Sequence, residues 1–218
     1  MKFESIGILI SLCPFGERDC VARIFTYDNG MLIGTMRGGQ IARKNRPLVG
    51  QIGMVSWNAR LNSQLGVFHW EADKNLVAPL MCSHKKLMFV NCAFDLIATL
   101  LPERVAYTDL YNETYNWLNG LADVACETSY LNWEISLLRE LGYALDLSRC
   151  SGCGCVDDLK YLSPKTGRAV CCQCGTPYVG RLYDLPLNLT ITAKFISGAC
   201  AEQGVRVPMT REMLNNIK

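Results

Sequence analysis

Two cysteine knuckles constrain this chain more than any other feature. Cys150-Ser151-Gly152-Cys153 is followed by 17 residues and then by Cys171-Cys172-Gln173-Cys174. The C-x2-C-x17-C-x2-C spacing falls in the range of structural zinc sites. Four thiolates fill a tetrahedron with sulfur about 2.3 Å from the metal, leaving no position for water or substrate. The expected cofactor is one structural Zn2+ per chain, on a loop at about 150–180, held by Cys150, Cys153, Cys171 and Cys174. Gly152, Gly154 and Gly175 are read as giving the knuckles their backbone freedom. Cys155 and Cys172 adjoin the quartet, and either is chemically able to replace one of its members.

The reading of these thiols as metal ligands depends on a reducing environment. The chain has 218 residues and 12 cysteines, too long for a small disulfide scaffold. Ile6 to Leu12 is a short apolar run ended by Pro14 and Glu17, which reads as a strand and not as a signal peptide. Leu87 to Leu101 is the longest apolar stretch, but it contains Asn91 and Asp95 and is too short for a bilayer. A soluble, cytoplasmic protein with no membrane contact is expected.

Residues 1–78 read as β structure. Ile6–Leu12, Val21–Phe25, Met31–Met36, Val49–Trp57 and Gly66–Trp70 are five short runs. Asp28-Asn29-Gly30 marks a tight turn between the second and third, because Asn and Gly tolerate positive φ. This density of short strands fits an oligonucleotide-binding (OB) barrel, and equally an SH3-like barrel or an open meander. From 79 to 218 the period becomes helical. Leu87, Val90, Phe94, Ile97 and Leu101 form one face, ended by Pro102. Leu110, Thr114, Trp117, Leu121 and Val124 form a second, and Tyr130, Trp133, Leu137 and Leu141 a third, stopped by Gly142. The tryptophans sit at core spacing and read as packing residues. The fold class is therefore α+β: an OB-like barrel domain at 1–78, then a helical bundle at 79–218 with the four-cysteine zinc loop inserted.

Net charge is only +2, so a nucleic-acid surface has to be local. Between Asp28 and Glu71 there is no acidic residue, while Arg37, Arg43, Lys44, Arg46 and Arg60 fall inside the stretch. A field of one sign attracts phosphate, and Arg37-Gly38-Gly39 opens a basic loop that runs through Pro47. Catalytic signatures are missing. His69 and His84 sit in no metalloprotease or triad motif, and Arg37-Gly38-Gly39 lacks the Gly-Lys-Ser/Thr ending of a P-loop. Asp157-Asp158 reads as a solvated turn, because no further carboxylate completes a two-metal site. A non-enzymatic protein is expected.

The order of barrel, bundle, four-cysteine loop and short helical tail resembles the bacterial RecO family in its alphaproteobacterial branch. Phe15-Gly16-Glu17, Ile24-Phe25-Thr26 and Asn29-Gly30 resemble its first hairpin, and Arg37-Gly38-Gly39 with Arg43, Lys44 and Arg46 resembles its basic loop. Trp133-Glu134, Leu137-Leu138 and Leu141-Gly142-Tyr143 before Cys150 resemble the helix leading to the metal loop. Leu162 to Val170 resembles the segment between the cysteine pairs. Phe195, Pro208 and Arg211-Glu212 resemble the closing helices with a trimmed connection.

The resemblance implies a recombination mediator of RecF-type DNA repair, nucleoid-associated in the cytoplasm. It would bind single- and double-stranded DNA, anneal complementary strands and, with RecR, help load RecA. DNA would meet Arg37, Arg43, Lys44, Arg46 and Arg60. The C-terminal tail of single-stranded-DNA-binding protein is a further implied partner. For that acidic, apolar-ended tail the expected receptor is the helical part, with Lys85, Lys86, Arg104 and Arg139 near the Leu87, Phe94 and Leu101 stripe. The competing reading is a zinc-ribbon module of transcription or RNA processing, using Lys160, Lys165, Arg168 and Arg181 around the cysteines.

Overall fold

A computed structural model describes residues 2–39, 46–59, 65–121 and 125–215. Five strands come first: β1 (Lys2–Phe15), β2 (Asp19–Thr26), β3 (Gly30–Met36), β4 (Gln51–Asn58) and β5 (Gly66–Asn75). They close into a barrel in the order β1-β2-β3-β5-β4. β1 pairs antiparallel with both β2 and β4, and β3 pairs parallel with β5. This connectivity is that of the OB fold and separates it from a meander, which needs no parallel pair.

β1 is the strand that permits closure. Its 14 residues extend well beyond the apolar run Ile6–Leu12, because Lys2 to Ile8 hydrogen-bond along β4 while Gly7 to Phe15 follow β2. A register shift between Leu9 and Ser11 bends the strand where it passes from one neighbour to the other. Leu9, Ala22, Ile24, Leu32, Met36, Val55, Trp57 and Phe68 fill the interior. Trp57 is fully buried, and its indole N–H donates to the Ile33 carbonyl at 2.8 Å. Ile8, Phe25 and Met31 point the other way and are also buried. Phe25 meets Tyr111 of a following helix at 5.5 Å, which explains strands that are apolar on both faces.

The turn between β2 and β3 admits only glycine at Gly30. Its φ is +62°, and a Cβ there would lie 1.7 Å from the Val105 carbonyl oxygen. Thr26 closes the turn by donating its hydroxyl to the Gly30 carbonyl at 2.7 Å.

Helices follow at α1 (His84–Leu100), α2 (Thr108–Gly120) and α3 (Cys126–Glu140). Ser83 caps α1 by accepting the Lys86 N–H at 3.4 Å. Gly142 ends α3 at φ +89°, with the Tyr143 N–H returning to the Leu138 carbonyl at 2.8 Å. Trp117 and Trp133 are buried, as their spacing requires of packing residues. The chain divides into two compact units, Met1–Ser129 and Tyr130–Lys218, so α1 and α2 group with the barrel and the division falls within α3.

In the second unit, β6 (Leu159–Leu162), β7 (Ala169–Cys171) and β8 (Tyr183–Asp184) form a small sheet in the order β7-β6-β8. The short helix α4 (Cys172–Gly175) starts directly after β7, and α5 (Leu189–Glu202) and α6 (Met209–Leu214) close the chain. α3, α5 and α6 are joined by a buried polar network. Arg211, 1% exposed, reaches Glu134, 0% exposed. Its guanidinium donates to Glu134 Oε2 at 3.1 Å and to the Leu189 carbonyl at 2.7 Å. Tyr130 adds its hydroxyl to the other carboxylate oxygen at 3.0 Å.

Candidate metal centre and nucleic-acid face

The short sheet positions the four cysteine side chains of the candidate metal group. Val170 and Cys171 lie on β7, and the turn into α4 brings Cys174 back beneath Cys171. The first knuckle folds against them through the Ser151 N–H, which donates to the Ala169 carbonyl at 2.9 Å. The sulfurs of Cys150, Cys153, Cys171 and Cys174 then lie within 4.8 Å of one another. A tetrahedral ion with bonds of about 2.3 Å places its sulfurs about 3.8 Å apart. Cys153 and Cys171 Sγ are already 3.7 Å apart, so the donor set fits a tetrathiolate ion with little rearrangement. This is the one potential metal-holding group among the described residues.

Backbone N–H groups prepare the site for negative charge. Those of Cys171, Cys153 and Gly152 surround the Cys150 sulfur and draw its pKa down to about 6. The Cys153 thiol is also lowered, chiefly by the Cys155 backbone N–H. Cys174 is pushed up to about 12, because its proton is shared with Cys153 and Cys171. Cys155 lies against the quartet, its thiol hydrogen-bonded with Cys153 and Cys171 and 3.4 Å from the Asp157 carbonyl, and Cys172 begins α4 with its N–H on the Asp158 carbonyl at 3.0 Å. Neither belongs to the group of four.

The three glycines differ in their tasks. Gly154 needs left-handed backbone, at φ +77°. Gly175 does not; it is required because a Cβ would strike the Tyr161 ring at 2.2 Å. Gly152 lies against Cys174, whose sulfur is 3.1 Å from the position of a Cβ. Asp157 and Asp158 are exposed, and Asp158 has φ 53°, so the pair forms the turn into β6.

On the barrel, Arg37 is exposed directly after β3, and the Gly38 N–H donates to Asp19 Oδ1 at 2.8 Å, pinning the start of the basic loop to β2. Arg46 is exposed where the described chain resumes. Arg43, Lys44 and Arg60 lie outside the described residues. A cleft of about 160 Å3 is lined by Arg37, Gly38, Gly39, Pro47, His69 and Trp70, among others. A second, of about 240 Å3, contains Leu12, Pro14, Arg46, Leu48 and Val49. Both share Gly39 and Pro47, so the two arginines flank one basic stem.

Trp70, which ends the fifth apolar run of the sequence, is half-exposed and lines the same cleft as Arg37. Arg18 and Arg23 are likewise exposed on the first loop and on β2, outside the acid-free stretch.

The cations considered for a partner peptide occupy varied settings. Lys85 pairs with Glu127 at 3.3 Å. Arg104 lies 4.9 Å from the Trp57 ring centroid and donates its N–H to the Met31 carbonyl at 3.0 Å. Lys86 is half-buried on the first turn of α1, and Arg139 lies 3.9 Å from Glu140. Of the apolar stripe on α1, Phe94 and Leu101 are buried and Leu87 is half-buried.

The described scaffold is an OB-like barrel followed by helices and a group of four cysteines that could hold a metal ion. Comparison with known proteins makes this specific. The family described as "Recombination protein O C terminal" matches residues 84–205. A DNA repair protein RecO of Jannaschia sp. is 37% identical over 191 residues, covering 86% of this chain and 77% of that protein. A namesake from Rickettsia bellii is 32% identical over 186 residues, covering 85% and 77%, and one from Ruegeria sp. is 36% identical over 190 residues, covering 85% and 78%. The chain belongs to the RecO family. No described helix is long and apolar enough to cross a membrane.

Proposed function

We propose that this protein is a non-enzymatic recombination mediator of DNA repair that binds single- and double-stranded DNA through its barrel and anneals complementary strands. With RecR it helps RecA load on DNA coated by single-stranded-DNA-binding protein, in the cytoplasm at the nucleoid. The observation that carries the reading is the juxtaposition of exposed Arg37 and Arg46 with half-exposed Trp70 around the stem of an acid-free basic loop. Cations follow the phosphates, while the indole offers a stacking face to an unpaired base. Arg43, Lys44 and Arg60 extend the basic set. Zn2+ bound by Cys150, Cys153, Cys171 and Cys174 has a structural role, holding β7, α4 and the first knuckle together. Lys85, Lys86 and Arg104 of the Met1–Ser129 unit and, separately, Arg139 of the Tyr130–Lys218 unit are the cations proposed to meet the acidic tail of single-stranded-DNA-binding protein.

The test is strand binding and annealing by the full chain with Arg37, Arg43, Lys44 and Arg46 all changed to alanine. Single-strand affinity is expected to fall at least about tenfold at low salt, and the salt slope to flatten by about 0.7 per lost phosphate contact. Annealing should fall in parallel. A folded quadruple variant with an unchanged isotherm refutes the assignment. Loss of binding on changing Lys160, Lys165, Arg168 and Arg181, which are exposed around the knuckle, would instead favour the zinc-ribbon reading.

A further inference from the structure

A fifth thiol stands against the four proposed zinc ligands. Cys155 follows Cys153 after a single glycine, and Gly154 turns the chain between them at φ +77°. Backbone hydrogen bonds clamp that turn to Cys150. The Gly154 N–H donates to the Cys150 carbonyl at 2.9 Å, and the Cys150 N–H donates to the Cys155 carbonyl at 2.7 Å. The Cys153 sulfur consequently receives both the backbone N–H and the thiol of Cys155. The Cys155 thiol also touches Cys171, and the side chain packs on the cluster of Cys150, Tyr161 and Val170. A tetrahedral ion takes four sulfurs, so Cys155 touches the centre and is surplus to it.

Exposure separates these sulfurs. Cys150 and Cys171 are buried, Cys155 and Cys174 are half-buried, and Cys153 is exposed. A small reagent arriving from water therefore meets Cys153 first, and the thiol beside it is one that the quartet does not use. An accessible thiolate next to a resolving cysteine is the arrangement that lets oxidation stop at a disulfide.

We propose that Cys155 is the resolving thiol of an oxidation site at Cys153, through which a hydroperoxide converts the centre from a zinc-bound to a disulfide-bridged form. The Cys153 thiolate attacks the outer peroxide oxygen. The O–O bond breaks, the leaving alkoxide takes a proton from water, and Cys153 becomes a sulfenic acid. The Cys155 sulfur then attacks the Cys153 sulfur while its own proton passes to the departing hydroxide. An S–S bond forms, the S–O bond breaks and water leaves, two electrons having passed from the sulfurs to the peroxide. Cys150, Cys171 and Cys174 remain as thiolates, one ligand short of the set that retains Zn2+. The new bridge is exposed at Cys153, so small thiols reduce it and the change reverses. The proposal rests on the zinc reading of the quartet.

The test treats zinc-loaded full-length protein with hydrogen peroxide and alkylates the remaining thiols at intervals. Tandem mass spectrometry maps the bridges while a colorimetric chelator follows released zinc. Metal content before peroxide tests the zinc reading by itself. The first bridge is expected between Cys153 and Cys155, appearing together with the zinc, and dithiothreitol with added zinc should restore the original metal content. Cys155→Ser should begin with the same zinc content, but its Cys153 should proceed to sulfinic acid, so that metal recovery falls below about half. Cys172→Ser should behave as the parent. First bridges confined to Cys150, Cys153, Cys171 and Cys174 overturn the proposal, as does zinc loss while Cys155 remains open to alkylation. Equal recovery by Cys155→Ser and the parent also overturns it, and so does a folded Cys155→Ser that lacks zinc at the outset. The parent's own bridge map decides the matter where Cys155→Ser does not fold.

Discussion

Replacing Arg211 by methionine should be among the most damaging single changes in the Tyr130–Lys218 unit. The side chain is 1% exposed and meets Glu134, which is 0% exposed. Besides the carboxylate it donates to the Leu189 carbonyl at 2.7 Å and to Asn215 Oδ1 at 2.8 Å, so one guanidinium fastens α6 to α3 and α5. Methionine fills much of the volume but leaves Glu134 with only the Tyr130 and Thr192 hydroxyls. Removing one member of a buried ion pair costs about 3–5 kcal/mol, because the remaining charge is desolvated without compensation. At about 2–4 °C per kcal/mol for a chain of this size, Tm should fall by about 10 °C. Glu134→Met strands the opposite charge and should cost a similar amount. The double variant, Glu134→Met with Arg211→Met, should recover most of the loss, since an apolar pair needs no desolvation of charge. Calorimetry of the four proteins forms a double-mutant cycle with an expected coupling of at least about 2 kcal/mol. A single variant losing under about 1 kcal/mol, or a double variant as unstable as the sum of the singles, refutes the reasoning.

Metal analysis of protein expressed with added zinc should find one zinc per chain; Cys153→Ser or Cys174→Ser should release it and lower Tm, whereas Cys155→Ser and Cys172→Ser should do neither. Acidification should release the metal as protons compete for all four sulfurs, which metal analysis after gel filtration at stepwise lower pH would show. Gly30→Ala should destabilise by at least about 2 kcal/mol, combining positive φ with a clash on the Val105 carbonyl, and thermal melts of a variant matching the parent would show that the turn relaxes.

Local chemistry made much of this protein legible in its sequence. The knuckle spacing, the Asn29-Gly30 turn, the Pro102 break and the Gly142 stop each act within a few residues, and each marks a real boundary. Period-3.6 spacing located α1 to α3, because a helix closes its hydrogen bonds within itself. Strand lengths were not legible to the same degree. Lys2 to Ser5 and Cys13 to Phe15 join β1 through partners far along the chain, which no local pattern records. Barrel closure depends on the same fact: β3 finds β5 in parallel register across more than 30 residues of sequence, a choice made by packing the shared core. The four cysteines were read from spacing, and the structure brings those four sulfurs within 4.8 Å of one another. Tertiary structure also decided the pairing of Glu134 with Arg211 and the exposure of Trp70. Each is an ordinary residue in its own element. Burial opposite a distant charge, or exposure at the mouth of a cleft, arises only when separate elements meet, and burial and pairing are properties of that meeting.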